Sequence, residues 1–538
     1  MPPAPATDLE LGSFTDHGPW VVDPAAMPWR TGIDGVRARV RAELPTLTRP
    51  RTVPPGARVL TTARHIGGAL GLWAALGRRR QGGAGSIGDL SRRLRIAAEH
   101  LGPTYIKLGQ IISSGEGIFP DDLVTEFKRC RDQVPAEPWP VVRRVVEEEL
   151  GCRLELVFER FDEAPLAAAS IAQVHVATLV HGPEVVVKVQ RPTVEQRVHR
   201  DLQVMAWLAP FLVGRIPVSA LANPPALVEL FAETITEELD FRLEAENMLD
   251  VARTFAELDQ RGYVIPRPHP TLVTRRMLVM ERLSGFKFED VAGMQAAGVD
   301  TYGVVRTGLV GFMEGALIHG IFHGDLHGGN LFVQPDGRTA LLDFGITGRL
   351  SEPKRRAFLG LLASASMNDL DGQLAALRDL GALPADTDLA AVIAELGLDR
   401  PPIDPTQLSS EELLGEVQRT VKALLGYGAR MPKELMLFVK NMVFLDGAIA
   451  TLAPDLDIFA EIATVSMHFA TKHGERLAAE LGMAADAWEL DMTGFKAAVG
   501  LDEHADALTY RELQERRAQI RDRFAAHQRP SRRRRRKH

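Results

Sequence analysis

The feature that most constrains this chain is a pair of polar loops separated by a short apolar hairpin. His323-Gly324-Asp325-Leu326-His327-Gly328-Gly329-Asn330 precedes the apolar segments Leu331 to Val333 and Ala340 to Leu342, and Asp343-Phe344-Gly345 follows them. Asp325 and Asn330 are five positions apart on one loop, and Asp343 lies 18 positions beyond Asp325. Hard divalent cations such as Mg²⁺ prefer oxygen ligands. The Asp343 carboxylate and the Asn330 amide oxygen suit that task, which leaves Asp325 free to accept a proton.

The segment upstream supplies a complementary charge. Glu155 to Phe161, Ala172 to Val180 and Glu184 to Gln190 are short, β-branched and alternating, with a turn at His181-Gly182-Pro183. They read as strands. Lys188 alternates away from Val187 and Val189, so it leaves the apolar face and can reach the α/β-phosphates of a nucleotide. A carboxylate on the following helix should hold it. Glu229, Glu233 and Glu237 share one face of a helix expected over Leu227 to Asp250, and Glu233 is the favoured partner. Met277 to Glu281 reads as a further strand, and the backbone from Met280 and Glu281 to Leu283 as a contact for ATP. Phosphoryl transfer needs metal to neutralise charge on the phosphates and a base near the acceptor. The whole resembles the H-x-D-x-x-x-x-N … D-F-G arrangement of kinase-like enzymes.

Composition agrees with a soluble globular protein: 538 residues, 45% hydrophobic and 25% charged. Two cysteines, Cys130 and Cys152, exclude a disulfide scaffold or a multi-cysteine zinc site and favour a reducing compartment. Net charge is −7 although Arg532 to Lys537 are all basic, so the rest of the chain is more acidic still. That excludes a general nucleic-acid polycation and leaves the basic tip for peripheral contact with anionic membrane. The sequence shows no signal peptide pattern and no apolar run that reads as a membrane-crossing helix. A cytoplasmic protein, peripheral at a membrane, is expected.

Further motifs carry a resemblance to the AarF/UbiB family of atypical kinase-like proteins. Leu101 to Gln110 matches its K-x-G-Q helix, Pro165 to His175 its alanine-rich loop, and Val186 to Pro192 its lysine strand. Glu238-Leu239-Asp240-Phe241-Arg242 with Glu244, Ala245 and Asn247 matches its E-x-D helix, and the two polar loops match its catalytic and metal loops. The resemblance implies an α+β, two-lobed protein-kinase-like fold with a helical N-terminal extension and a mostly helical C-terminal lobe. Expected divisions are a Pro-rich N-terminal extension and linker over 1–85, extended and weakly structured over its first 60 residues, the helical extension over 86–154, lobes over 155–285 and 286–460, and a helical tail with a basic C-terminus over 461–538. It also implies Mg²⁺-dependent ATP binding, with Lys107 and Gln110 directed into the nucleotide pocket and Glu238 near the metal. Gly109 is expected where the extension meets the lobe. Ala167, Ala168, Ala169, Ser170 and Ile171 stand where ordinary kinases place a glycine-rich loop.

Three departures argue against an ordinary protein kinase. Gly324 replaces the arginine of H-R-D, no A-P-E segment follows Asp343, and the extension would obstruct a protein substrate. ATPase or small-molecule chemistry is therefore expected, with a lipid or isoprenoid-quinone precursor as the partner that the resemblance implies. A non-catalytic nucleotide-gated scaffold and an unorthodox protein kinase stay open as alternatives.

Overall fold

The computed structural model describes residues 13–50, 53–77, 83–113, 119–130, 135–212, 223–366, 369–396, 424, 426–482 and 507–527. The chain forms two compact units. The first comprises Met1–Val299, Glu314–Arg349 and Lys433–Phe444, and the second Asp300–Met313, Leu350–Pro432 and Leu445–His538.

The first unit begins with helices. The segment expected to be extended instead forms α1 (Ile33–Thr48), whose Ile33 and Val36 are buried against Leu243. Proline content misled here, because Pro24 and Pro28 sit in the first turns of short 3₁₀ helices, where no backbone donor is needed. Next come α2 (Arg58–Thr62) and α3 (Gly68–Gly77), joined through a π turn. The apolar positions Leu90, Leu94, Ala97, Leu101, Tyr105 and Leu108 recur at helical steps as if on one helix, but the stretch forms two, α4 (Gly83–Leu101) and α5 (Pro103–Ser113). Gly102 breaks them with a φ of +99°, a conformation that favours glycine. Then follow α6 (Asp121–Phe127) and α7 (Trp139–Leu150).

An antiparallel sheet follows: β1 (Phe158–Phe161), β2 (Ala167–Ala168), β3 (Ala172–Leu179) and β4 (Glu184–Gln190). After α8 (Val194–Leu212), α9 (Pro224–Glu237) and α10 (Phe241–Glu257) come β5 (Tyr263–Val264), β6 (Pro268–Val273) and β7 (Met277–Glu281). The sheet order is β1-β3-β4-β7-β6, with β2 also paired to β3. Val185, Val187 and Val189 of β4 are buried with Met277 and Val279 against Val142, Val145 and Val146 of α7. The two-residue alternation of a strand gives Lys188, between two of these valines, the opposite face. The single helix expected over Leu227 to Asp250 is broken between α9 and α10. Asp240 ends the break by accepting the Arg242 N–H at 3.1 Å as the cap of α10.

β8 (Phe286–Lys287) and α11 (Val291–Ala296) lead on to β9 (Ile321–His323), β10 (Leu331–Val333), β11 (Thr339–Leu341) and β12 (Thr347–Arg349). Two pairings set the geometry of the loops. β10 and β11 form the expected hairpin, Leu331 opposite Leu341. β9 and β12 pair antiparallel, Thr347 opposite His323. The first brings Asn330 beside Leu342, whose N–H donates to the Asn330 carbonyl at 3.0 Å. The second lays the loop after His323 against the loop before Thr347.

The second unit is helical: α12 (Thr301–Met313), α13 (Glu352–Ser366), α14 (Leu370–Asp379), α15 (Leu389–Leu396), the end of α16 (Lys433–Leu452), α17 (Ile458–Leu481) and α18 (Tyr510–His527). Arg306 of α12 clasps Glu461 of α17 through two hydrogen bonds of 2.7 and 2.6 Å. Tyr510 is buried against Ile458, Leu508 and Leu513. Among the described residues α16 alone is long and apolar enough to cross a membrane, which sequence reading overlooked. It carries Lys440 and Asn441 at its centre, and both engage the Asp325 loop of the first unit. A third of its apolar span is buried. The basic run Arg532 to Lys537 lies outside the described residues.

Candidate active site

The sheet and the two polar loops bring four ionised pairs together within the first unit. The Lys188 ammonium donates to Glu244 Oε1 at 2.7 Å and to Asp343 Oδ2 at 3.3 Å. It also stands 5.5 Å from the centre of the Phe241 ring. Lys107 lies 2.9 Å from Glu238 Oε1. Lys440 of α16 donates to Asp325 Oδ1.

The Glu233 assignment is corrected by this geometry. Glu233 lies on α9, 3.8 Å from the Lys433 ammonium, and Lys433 donates to Glu237 at 2.7 Å. The helix break at Glu238–Asp240 sets α10 apart from α9, and α10 is the element that reaches Lys188. Glu244 belongs to the E-x-D segment, and its sequence position alone does not show that it meets Lys188.

The loop around Asp325 is held by buried polar contacts. His323 donates from Nε2 to the Asp343 carbonyl, and its Nδ1 accepts the Asp325 N–H at 3.1 Å. Burial pushes the His323 pKa down, so the ring stays neutral and can serve as donor and acceptor at once. Asn441 donates to the His323 carbonyl and accepts the Leu326 N–H at 3.0 Å. Asn330 donates to the Asp325 carbonyl at 3.1 Å, so its amide oxygen stays available as an acceptor. Asn247 donates to the Phe344 carbonyl at 2.9 Å. No side chain fits at position 324: a Cβ there would meet Ile346 Cγ2 at 2.7 Å and the Ile346 carbonyl at 2.9 Å. The close pairing of β9 with β12 thus explains why the arginine of H-R-D is absent.

Electrostatics separates the acids. Burial alone would raise Asp325, but Lys440 and Lys107 hold it well below the usual carboxylate range. Burial likewise opposes the charged form of Asp343, but Lys188, Lys107 and the Gly345 N–H at 2.9 Å bring it down to about 2. Burial pushes Glu238 up against the pull of Lys107, and pushes Glu244 up to about 7 against the pull of Lys188.

The donor set fits a hard divalent cation. Asp343 and Asn330 offer oxygens across the base of one hairpin. Buried Glu238 Oε1 lies beside them, 2.9 Å from the Lys107 ammonium. Gly345 keeps room between the acids, since a Cβ there would lie 3.1 Å from Asp343 Oδ1 and 3.4 Å from Glu238 Cγ. Oxygen donors and high negative charge suit Mg²⁺.

The alanine-rich turn closes with the Ala169 N–H donating to the Ala172 carbonyl at 2.8 Å, and Arg191 Nε donates to the Ala169 carbonyl at 3.0 Å. Ser170 and Ile171 are buried, while Ala167 and Ala169 are exposed. Met280, Glu281 and Leu283 are buried at the end of β7, and the Glu281 carboxylate is engaged by Arg267 at 3.2 Å. Backbone rather than side chains is therefore what this segment offers. Gly109 does not face the sheet as expected. A Cβ there would meet Phe127 at 2.6 Å, so it serves the contact of α5 with α6 inside the extension. The Gln110 carbonyl accepts the Ser113 hydroxyl at 2.8 Å. Sequence reading missed Lys440. A Lys-Asn pair inside an otherwise apolar helix was the signal for it.

Residues 129–376 match the ABC1 atypical kinase-like domain. An uncharacterized protein of Mycobacterium tuberculosis is 37% identical over 365 residues, 66% of this chain and 73% of its own. A Shewanella piezotolerans protein named probable protein kinase UbiB is 34% identical over 379 residues, 68% of this chain and 67% of its own. Among solved structures, a Mycobacterium tuberculosis protein in complex with erythromycin aligns with a TM-score of 0.37 at 22% identity, covering 64% of this chain and 91% of that one. Identity and coverage at the level of the first two relatives mean common descent, and the chain belongs to the AarF/UbiB family of atypical kinase-like proteins.

Proposed function

We propose that the protein binds Mg²⁺-ATP and transfers or hydrolyses its γ-phosphoryl group, acting as an ATPase or as a kinase for a small molecule or lipid. The observation that carries this reading is Lys188 standing 3.3 Å from Asp343 and 2.7 Å from Glu244. A cation held by two acids, one of them facing the metal donors, is suited to grip a triphosphate–metal unit. Lys188 orients the α/β-phosphates and Glu244 fixes its direction. Asp343 and Asn330 hold the metal, with Glu238 beside them, and bound Mg²⁺ supplies neutralisation of phosphate charge. Asp325 orients the attacking group and takes its proton. The turn Ala167 to Ile171 and the backbone from Met280 to Leu283 bracket the nucleotide, and Lys107 and Gln110 of α5 border it.

The absent H-R-D arginine and A-P-E segment favour a small acceptor or water over a protein. The family relationship supports work in isoprenoid-quinone or related lipid metabolism, with a cytoplasmic protein touching the membrane peripherally. A second reading, a nucleotide-gated scaffold, is favoured by the ion pairs Lys107–Glu238 and Lys440–Asp325, which neutralise two acids of the site. The deciding experiment is ATP hydrolysis by the purified chain with and without lipid extract, followed by mass spectrometry for a phosphorylated small molecule. Turnover lost in Asp325→Asn supports catalysis. Tight binding with no turnover under any condition supports the scaffold, and stoichiometric phosphorylation of a protein overturns the small-acceptor reading.

A further inference from the structure

The helical part of the first unit lines a cavity of about 170 Å³ that takes no part in the site above. Leu94 of α4, Tyr105 and Leu108 of α5, Phe127 of α6, Met205 of α8 and Leu227 of α9 stand in its wall, and every lining side chain is aliphatic or aromatic. The one hydroxyl among them, on Tyr105, is engaged by Thr62 at 3.2 Å. Such a wall offers nothing to water, and an engineered apolar cavity of about 150 Å³ is known to stay dry and to take benzene or xenon.

Three observations point to an occupant. The wall excludes charge, so the ligand presents hydrocarbon. Among the described residues the cavity is partly open, so a longer chain can extend out of it. The helices around it also carry large exposed apolar side chains: Leu72 of α3 is 55% exposed and Phe211 of α8 49%. We propose that this cavity binds the hydrocarbon portion of an uncharged apolar ligand, and that occupancy is coupled to the nucleotide site through α5.

The coupling follows from what α5 carries. Tyr105, Leu108 and Ile112 line the cavity, while Lys107, one position from Leu108, lies 2.9 Å from Glu238. Successive helix residues point about 100° apart, so one rigid helix serves both sites. Gly109 packs against Phe127, which itself lines the cavity, so a ligand pressing on Phe127 or Leu108 moves the backbone that places Lys107. The binding half of this proposal stands alone. The coupling half rests on the nucleotide reading.

The test uses the full chain and calorimetry with 1-hexanol and 1-octanol. Saturable one-to-one binding is expected, tightening about fourfold per added methylene. No saturable binding, or an affinity flat with chain length, overturns the site. Ala209→Phe and the milder Ala98→Leu, from two walls of the cavity, are each expected to weaken octanol binding at least about tenfold. Folded variants that bind unchanged overturn the assignment, and the alcohol series on the unaltered chain decides if neither folds. Saturating octanol is expected to change Mg²⁺-ATP affinity about threefold or more, and Mg²⁺-ATP to change octanol affinity by the same factor. Equal ATP affinity with and without octanol overturns the coupling. Octanol binding without any ATP binding sinks the nucleotide reading and leaves the cavity assignment intact. Sedimentation with phosphatidylcholine vesicles separates the sources: recruitment that octanol competes away identifies a membrane acyl chain, and octanol binding without recruitment a soluble ligand.

Discussion

Glu244 takes the Lys188 ammonium at 2.7 Å across a separation of 56 residues. The contact joins the middle of β4 to the first turn of α10, and it leaves Lys188 able to reach Asp343 as well. Both members of the pair are buried, so each depends on the other for its charge. Truncating one partner of such a pair costs more than the pair contributes, because the other is left uncompensated.

The acid–base behaviour of the site should therefore follow Glu244. Burial pushes Glu244 up to about 7, while Asp343 is held near 2 and Asp325 lower than usual. Near neutrality Glu244 alone of these three changes state. As pH falls through about 7, Lys188 loses its neighbour's charge, and ATP turnover is expected to decline. Glu244→Gln should lower turnover and flatten that limb. The stability effect has the opposite direction. Between the ordinary value of 4.5 and about 7 the folded state binds the proton and the unfolded state does not, so stability declines as pH rises through that window. Urea titrations at both ends of the window check this, and Glu244→Gln should remove the decline.

Lys440 should matter to rate more than to nucleotide affinity. It pairs with Asp325 rather than with the Lys188 cluster, and the loop His323 to Asn330 contains no lysine or arginine of its own. Removing one preorganised charge at a reacting centre costs about a hundredfold in kcat. Lys440→Met should show a loss of that order, with KM for ATP changed less than about threefold. Lys440→Arg should restore part of the rate. A merely structural lysine would change thermal stability without this split.

Gly109→Ala tests the packing of the extension. Its Cβ would meet the Phe127 ring at 2.6 Å and Cys130 Sγ at 3.5 Å. Overpacking of this kind costs about 1–3 kcal/mol. A lowered Tm in calorimetry is expected. An unchanged Tm would mean that α5 and α6 are not packed this closely.

Gly345→Ala tests the metal donors. The added methyl would press on Asp343 Oδ1 and Glu238 Cγ. Mg²⁺ dependence of ATP binding should shift to higher concentration by about tenfold, as for other residues that orient metal ligands. ATP affinity without metal should stay the same.

The strands were legible as short, valine-rich or apolar runs. Glu184–Gln190 and Met277–Glu281 appear with the bounds that the pattern suggests, and both are buried almost throughout, as strands inside a covered sheet are. The hairpin between Asn330 and Asp343 was legible for the same reason. What failed were the helix breaks. Periodicity carries across Gly102 and across Glu238–Asp240, because flanking helices on the same core keep apolar residues in similar phase. The second break moved the partner of Lys188 from Glu233 to Glu244. Lys440 was hidden for a different reason: its pairing with Asp325 spans 115 residues, and no local spacing encodes a tertiary contact of that kind.

The most direct test is calorimetric titration of ATP, with and without Mg²⁺, into the unaltered chain, Lys188→Met and Asp343→Asn. Metal-dependent binding by the unaltered chain is expected, weakened at least about tenfold in Lys188→Met and stripped of its metal dependence in Asp343→Asn. Equal affinity in all three folded proteins, or no ATP binding by the unaltered chain, would contradict a triphosphate–magnesium site built on Lys188 and Asp343.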